Sequence, residues 1–385
     1  MRLTDGSLGR ASVASDALAS HRGAVEQRDG GERYAGAGVR QAVANVNSVL
    51  APAVIGLDPT DQAEVDGWLI EVDGTADKRR LGGNAVLAVS LATCRAAAAS
   101  RGLPPYRHIA ILAGITRPTV PLPMVSVAGG VRAAAGSDIR ELFVIPTAAT
   151  SFGEAMEHVS AVQAIAAGLR RPARRAEDRL RWVAEAIAGG NVDAEIGIDV
   201  SAARLLTPDA RYRLPSEDRV LDTVEMVDLL VAWSAAAPIA SIQDGLADED
   251  WRGWRLLTDR LGRRIQLVGG DLFGSNAVRL DRGAETRAAN AVLIDLNQVA
   301  TLTETLTVMA RARETGYRTV VSDRAGLAGD PFAGELAVGS ASGQVDAGPL
   351  AGPTGLATRN QLLRIEEELG VEAYAGSTAL EPPVA

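Results

Sequence analysis

The chain predicts an α/β fold, with a small N-terminal α+β domain over residues 1–115 and a β/α barrel of the TIM type over residues 116–385. Three features predict it. From residue 120 onward, short apolar runs alternate with amphipathic segments of helical length, as repeated β–α units do. Several of those runs end in an acid or an amide. Before residue 115 the spacing of apolar residues is mainly helical, with one alternating stretch near the start.

Residues 7–15, SLGRASVAS, alternate as a strand or hairpin arm does. A polar stretch follows over 16–38. In residues 38–56 the apolar positions Val39, Val43, Val46, Val49 and Leu50 have helical spacing, and Pro52 and Gly56 are expected to stop that helix. A second helix is expected after Pro59-Thr60, packing Val65, Trp68 and Leu69. A third runs from Asn84 to Ser100 and ends at the stop signal Gly102-Leu103-Pro104.

Eight candidate strands follow: PLPMVSVAG (121–129), ELFVIP (141–146), EIGIDV (195–200), PIASIQD (238–244), IQLVGGD (265–271), AVLIDLN (291–297), RTVVSD (318–323) and GQVDAG (343–348). The first two are less regular than the rest. Amphipathic helices fall between them, among them TVEMVDLLVAWSA, DEDWRGWRLLTDRLG, TLTETLTVMARARETG and TRNQLLRIEEELG.

Composition narrows the function classes. With 385 residues, 47% hydrophobic and 23% charged, the chain can bury one large and one small core. No stretch offers the ~18 uninterrupted apolar residues of a membrane helix, and Met1 leads into polar sequence rather than a signal peptide. The single cysteine, Cys94, excludes an intrachain disulfide, which makes a reducing cytoplasm the expected compartment; its apolar setting reads as buried filler. A net charge of −9 argues against nucleic acid as a partner. Lys78 is the only lysine, so any lysine-dependent mechanism has one candidate. The histidines, His21, His108 and His158, show no metal-ligand spacing and read as surface or capping residues. Trp251 and Trp254 read as packing.

Asp199, Gln243-Asp244, Asp271, Asp295, Asp323 and Asp346 all fall at candidate strand ends. Any one such Asp is best read as a cap for the next helix or turn. A series on successive strands points to a shared acidic pocket, because strand C-termini converge on the functional mouth of a barrel.

Many segments resemble enolase, in that family's order: DGSLGRASVAS, AVANVNSVLAPAVIGLDPTDQ, LGGNAVLAVSLATCRAAA, LPMVSVAGG, SFGEAMEHV, DWRGW, QLVGGDLFGSN, LNQVATLTETL, GYRTVVSDR and NQLLRIEEELG. The resemblance implies the enolase architecture, a homodimer, and a lysine base acting on a 2-phosphoglycerate bound through two Mg²⁺ ions. It also implies that the N-terminal sheet lacks a first strand and that the loop carrying the general-acid glutamate is missing.

Carried across residue by residue, the resemblance implies a dismantled site. The base lysine falls on Asp295, the second lysine on Asp346, and the histidine before the phosphate-binding arginine on Asp323. Of the metal carboxylates, Asp199 is kept, the second falls on Gln243 and the third on Gly270. The lid serine falls on Leu18 and the Ser-His loop on Val131-Arg132. Glu141 and Arg324 are kept.

Dehydration of 2-phosphoglycerate is therefore not expected. The expected function is acid/base chemistry of a lyase or cyclase type on a cationic or neutral small molecule in specialised metabolism. Asp295 is the expected base, Asp323 the acid or its partner, Asp346 the orienting group, and Glu141 a further catalytic candidate. Arg324, Arg132, Gln243 and Asp271 are expected to touch substrate. Asp199 and Asp244 are the candidates for one Mg²⁺. The alternatives are a non-catalytic binding or scaffolding subunit, and a weak residual 2-phosphoglycerate dehydratase.

Overall fold

The computed structural model describes residues 1–13, 23–129, 136–169, 175–323, 329–350 and 355–381. Among residues 1–13 no strand forms; Arg2 and Leu8 make one isolated antiparallel bridge. The alternating pattern at 7–15 is overridden, over its described part, by packing on a helix. A Cβ at Gly9 would lie 2.0 Å from the Ala92 carbonyl oxygen and 2.4 Å from the Ala96 nitrogen. The segment then ties itself to the barrel, where the Ser12 N–H donates to Asp330 Oδ2 at 2.8 Å.

Helix α1 (Arg40–Asn45) runs through a π turn (Val46–Leu50) into α2 (Ala51–Val54), so the helix passes Pro52 instead of stopping there. The widened turn accommodates a residue with no N–H to donate. The next helix, α3 (Gln62–Asp73), is capped by Asp61 and buries Gln62, Val65, Asp66, Leu69 and Asp73. That face leaves Trp68 43% exposed, contrary to the packing role expected of it. A long helix, α4 (Gly83–Ser100), is almost wholly apolar and buries Cys94 completely. It is followed by α5 (Pro105–Ala113), which buries His108, so that residue is neither a surface nor a capping group.

The barrel strands are β1 (Leu122–Ala128), β2 (Glu141–Ile145) and β3 (Glu195–Asp199). A two-stranded hairpin of β4 (Tyr212–Leu214) and β5 (Arg219–Leu221) follows. The barrel then continues with β6 (Ile239–Gln243), β7 (Gln266–Gly269), β8 (Ala291–Ile294), β9 (Arg318–Ser322) and β10 (Gly343–Pro349). Eight of these close in the order β1-β10-β9-β8-β7-β6-β3-β2. All neighbours are parallel except β2, which runs antiparallel to both β1 and β3. The outer layer includes α6 (Phe152–Gly168), α7 (Ala176–Gly190), α8 (Thr223–Ala236), α9 (Trp251–Leu261) and α10 (Ala277–Thr286). It is completed by the short α11 (Leu296–Val299), α12 (Leu302–Glu314), α13 (Phe332–Gly339) and α14 (Leu356–Leu369). Among the described residues no helix is long and apolar enough to cross a membrane.

Pleat alternation divides the strand residues into two sets. Leu122, Met124, Phe143, Ile145, Ala240, Val268, Ala291, Leu293 and Val320 fill the barrel. Val125, Val144, Ile196, Ile198, Ile242, Leu267, Val292, Ile294, Val321 and Val345 join the larger cluster under the helices. A polar layer crosses the interior, with Gln266 donating to Gln344 Oε1 at 2.6 Å and accepting from Ser241 at 3.0 Å.

Lys78 joins the N-terminal part to the barrel. It is 5% exposed and its Nζ lies 2.8 Å from Glu304 Oε1 in the first turn of α12. Asp66 of α3 accepts the Thr303 N–H at 2.8 Å beside it.

Because Gly9 has no room for a Cβ, Gly9→Val should peel residues 1–13 from α4. We expect a loss of about 1–3 kcal/mol, read as a lower midpoint in chemical denaturation and faster proteolysis near the N-terminus. An unchanged midpoint would show that the segment does not rest on α4 in solution.

Candidate active site

The antiparallel β2 enters the barrel from the opposite direction, so its first residue, rather than its last, stands at the rim. Glu141 therefore pairs in register with Asp199, the last residue of β3, and Asp199 pairs with Gln243, the last of β6. Counting back from Phe143, Leu293 and the Ser241–Gln266–Gln344 layer, Glu141, Asp199, Gln243, Asp295 and Asp346 all take the inward-facing register position, with β6 shifting register at Ala240. Asp323 takes the opposite one, that of Val321. The expectation of three converging aspartates thus meets a break in parity at Asp323.

Asp199 is fully buried, and its Oδ1 accepts the Ser201 hydroxyl at 2.8 Å. Arg140 lies alongside, with Nη1 3.7 Å from Asp199 Oδ2 and 3.1 Å from Ser201 Oγ. Gln243 is 1% exposed and its Nε2 has no hydrogen-bond partner among the described residues.

Asp244 sits in the left-handed region with φ 45°. That turn points its carboxylate along the rim, where Oδ1 accepts the N–H of Gly270 at 2.8 Å and of Asp271 at 3.0 Å. A Cβ at position 270 would lie 2.5 Å from Asp244 Oδ2. Glycine at 270 and the folded-over Asp244 thus require one another.

Asp295 caps α11 by accepting the Asn297 N–H at 2.9 Å, and its own N–H donates to Ser275 Oγ at 3.0 Å. Ser275 in turn donates to Gln298 Oε1 at 2.9 Å. The chain at Gly23-Ala24 crosses this corner: the Ala24 N–H donates to the Gln298 carbonyl at 2.8 Å, and a Cβ at Gly23 would meet Gln298 Cα at 2.8 Å. Asp346 Oδ1 accepts the Gly348 N–H at 3.1 Å.

Asp323 is 4% exposed and is held to the Asp346 carbonyl through its N–H at 3.0 Å. Burial pushes its carboxyl up to about 7. The nearby Thr358 hydroxyl opposes that, the Asp346 carboxylate adds to it, and the Arg359 guanidinium of α14 opposes it again. Arg359 is itself 3% exposed and donates to the carbonyls of Ala347 (2.7 Å), Pro349 (2.9 Å) and Leu350 (3.1 Å).

Arg132 and Arg324, the two expected substrate arginines, lie outside the described residues, as do Leu18 and His21. Two arginines that sequence reasoning missed lie in the site instead. Arg140 precedes Glu141 and could have been suspected from DIREL only if the antiparallel sense of β2 were known. Arg359 lies in a helix whose pattern reads as ordinary amphipathic packing.

Residues 1–109 match the family described as Enolase, N-terminal domain, and residues 166–382 match Enolase, C-terminal TIM barrel domain.

The chain belongs to the enolase family.

In this enolase-family chain the expected divalent-cation donors do not form an oxygen cage. Among the described residues no group of three or more His, Cys, Asp or Glu side chains is placed to hold a metal ion. Asp199 shares its carboxylate with Ser201 and a guanidinium, Asp244 Oδ1 serves two backbone amides, and position 270 has no side chain. Mg²⁺ is commonly held by one or two carboxylates with waters completing the octahedron; here both expected donors, Asp199 and Asp244, already serve partners within the chain.

Asp323 and Glu335, both raised to about 7 mainly by burial, give a signed pH dependence. Between pH ~4 and pH ~7 the folded chain keeps protons that the unfolded chain has released, so stability falls as pH rises through that window and levels off above it. Asp323→Asn should flatten that slope and make the protein more stable than its parent at pH 8, by on the order of 1–4 kcal/mol. Urea denaturation at pH 5, 6, 7 and 8 measures it, and parallel pH profiles for parent and variant would refute the assignment.

Proposed function

We propose that the mouth of this enolase-family barrel binds a neutral or cationic small molecule and moves protons on it with carboxyl groups. Lyase or cyclase chemistry is the reaction class that fits. The observation that carries this reading is the fate of Lys78. The chain's only lysine is buried in an ion pair with Glu304 at 2.8 Å, in the first turn of α12. No amine base is left to draw a proton from a 2-phosphoglycerate, and a positioned base is commonly worth about 10²–10⁴-fold in rate.

In this reading Asp295, on the β8 rim, is the base. Asp346 orients the ligand, and Asp323, tied to the Asp346 backbone and near its titration point at neutral pH, exchanges a proton with that neighbourhood. Glu141 supplies a further inward carboxyl beside Asp199. The buried Nε2 of Gln243 offers a hydrogen bond to a ligand carbonyl or hydroxyl, since an unmade buried donor costs about 1–3 kcal/mol that a ligand can recover. Asp271, Arg132 and Arg324 complete the proposed substrate contacts. Asp199, beside Arg140 and Ser201, helps to hold the rim together.

A second reading draws on the caps at Asp295 and Asp346, which are structural uses of both carboxylates. It makes the protein a non-catalytic binding or scaffolding subunit, paired as a homodimer.

The two readings separate experimentally. The first expects no phosphoenolpyruvate above blank from 2-phosphoglycerate at saturating Mg²⁺, and saturable stabilisation by some members of a panel of amines and polyols. Asp295→Asn and Asp346→Asn should each weaken that binding at least tenfold. Turnover near the enzyme median of about 10 s⁻¹ would overturn it. A loss of about 1 kcal/mol of stability in Asp295→Ala that Asp295→Asn does not show, with no amine or polyol bound by the parent, would favour the scaffolding subunit.

A further inference from the structure

Asp295 is joined to α12 by a short segment, residues 296–301, and the N-terminal part of the chain grips that segment at both ends. The first amides of a helix have no partner inside it. In α12 the Leu302 N–H donates to Ser90 Oγ of α4 at 3.0 Å, and the Thr303 N–H to Asp66 Oδ2 of α3 at 2.8 Å. The next amide, that of Glu304, is met from its own segment by Thr301 Oγ1 at 3.2 Å.

The two outside caps are buried and braced. Asp66 and Ser90 are both 0% exposed. Gln62 Nε2 donates to Asp66 Oδ1 at 3.0 Å and to the Ser90 carbonyl at 3.1 Å. Thr303 Oγ1 donates back to the Gln62 carbonyl at 3.3 Å. A buried N–H that loses its acceptor carries the full cost of its desolvation, so these caps decide whether the first turn of α12 stays wound.

The grip continues toward Asp295. Ala300 is buried with φ 72°, a conformation that disfavours a residue with a Cβ and persists where its surroundings fix it. Gly83, at the start of α4, packs there: a Cβ on it would lie 3.5 Å from Ala300 Cβ and 2.7 Å from Ala24 Cβ. The Ala300 N–H donates to the Leu296 carbonyl at 2.8 Å, and the Gln298 N–H to the Asp295 carbonyl at 3.1 Å. With Ala24 on the Gln298 carbonyl and the Asn297 N–H on the Asp295 carboxylate, the contacts form a bracket from Asp66 to the rim.

We propose that Asp66, with Ser90 beside it, is a positioning residue for Asp295. By capping α12 from the N-terminal part of the chain, it fixes the direction in which the Asp295 carboxyl is presented at the mouth. This rests on the reading of Asp295 as the base.

The test uses the full chain. Hydrogen–deuterium exchange is followed by mass spectrometry over residues 296–303, and putrescine and myo-inositol serve as amine and polyol probes in calorimetric titrations. Asp66→Ala should speed exchange over 296–303 by about tenfold or more, and Ser90→Ala, the milder change, by about threefold or more, with residues 239–243 of β6 unchanged. Asp66→Asn keeps an oxygen for the Thr303 N–H and should return exchange to within about threefold of the parent. Val65→Ala removes buried apolar volume from the same helix without touching these hydrogen bonds, and should leave 296–303 at the parent rate. A probe bound by the parent should bind Asp66→Ala at least tenfold more weakly and Asp66→Asn nearly as well as the parent. Unchanged exchange in both alanine variants would overturn the proposal. So would equal acceleration in Val65→Ala, which would reduce the effect to general stability, or a probe held equally by the parent and Asp66→Ala. Silence of both probes in the parent counts against the reading of the mouth alone, and exchange still decides whether the bracket holds Asp295.

Discussion

Closure of the eight-stranded barrel imposes the constraint from which the rest follows. Once the strands are hydrogen-bonded into a ring, every second side chain must face inward, and strand ends are fixed at one rim by register. Apolar residues fill the lower layers, and at the rim the same parity delivers Glu141, Asp199, Gln243, Asp295 and Asp346. The antiparallel β2 is essential to this set. Were it parallel, Glu141 would lie at the opposite end of the barrel from Asp199.

A rim that collects carboxylates has to offset their mutual repulsion and loss of solvent, since a buried charge is tolerated only with partners. The structure answers this locally. Among the described contacts, Asp199 receives a hydroxyl and a guanidinium, Asp244 accepts from the Gly270 and Asp271 amides, Asp295 from that of Asn297 and Asp346 from that of Gly348. Asp323 is met differently, by burial beside Arg359 and by retaining its proton into the neutral range. The cationic partners described here, Arg140 and Arg359, are arginines, whose permanent charge and several donors suit carboxylates and carbonyls together.

Much of this was legible in the chain. All eight barrel strands fall on the short runs read from the sequence, most of them apolar because buried strands need residues apolar on both faces, with β10 (GQVDAGP) the polar exception. Helix starts were legible where Asp61 or Thr301 could cap them. The failures have physical causes. The alternation in residues 7–15 looks like a strand, but packing of Gly9 against α4 outweighs it. Trp68 was given to the core by hydrophobicity, yet the buried face of α3 is set by Asp66 and Gln62 bonding across to α12 and α4. His108 is buried despite its polarity. At the site, residue types at strand ends could be read directly. The partners Arg140 and Arg359 could not, because the contacts join segments far apart in sequence.

The interlocking of Asp244 with Gly270 couples two positions of the mouth. The aspartate's oxygen already fills the volume that any side chain at 270 would enter, 2.5 Å from its first carbon. A side chain there would require the neighbour to swing away from two amides it now satisfies. The pair thus behaves as a latch, in which a larger residue at 270 is admitted only if the aspartate lets go.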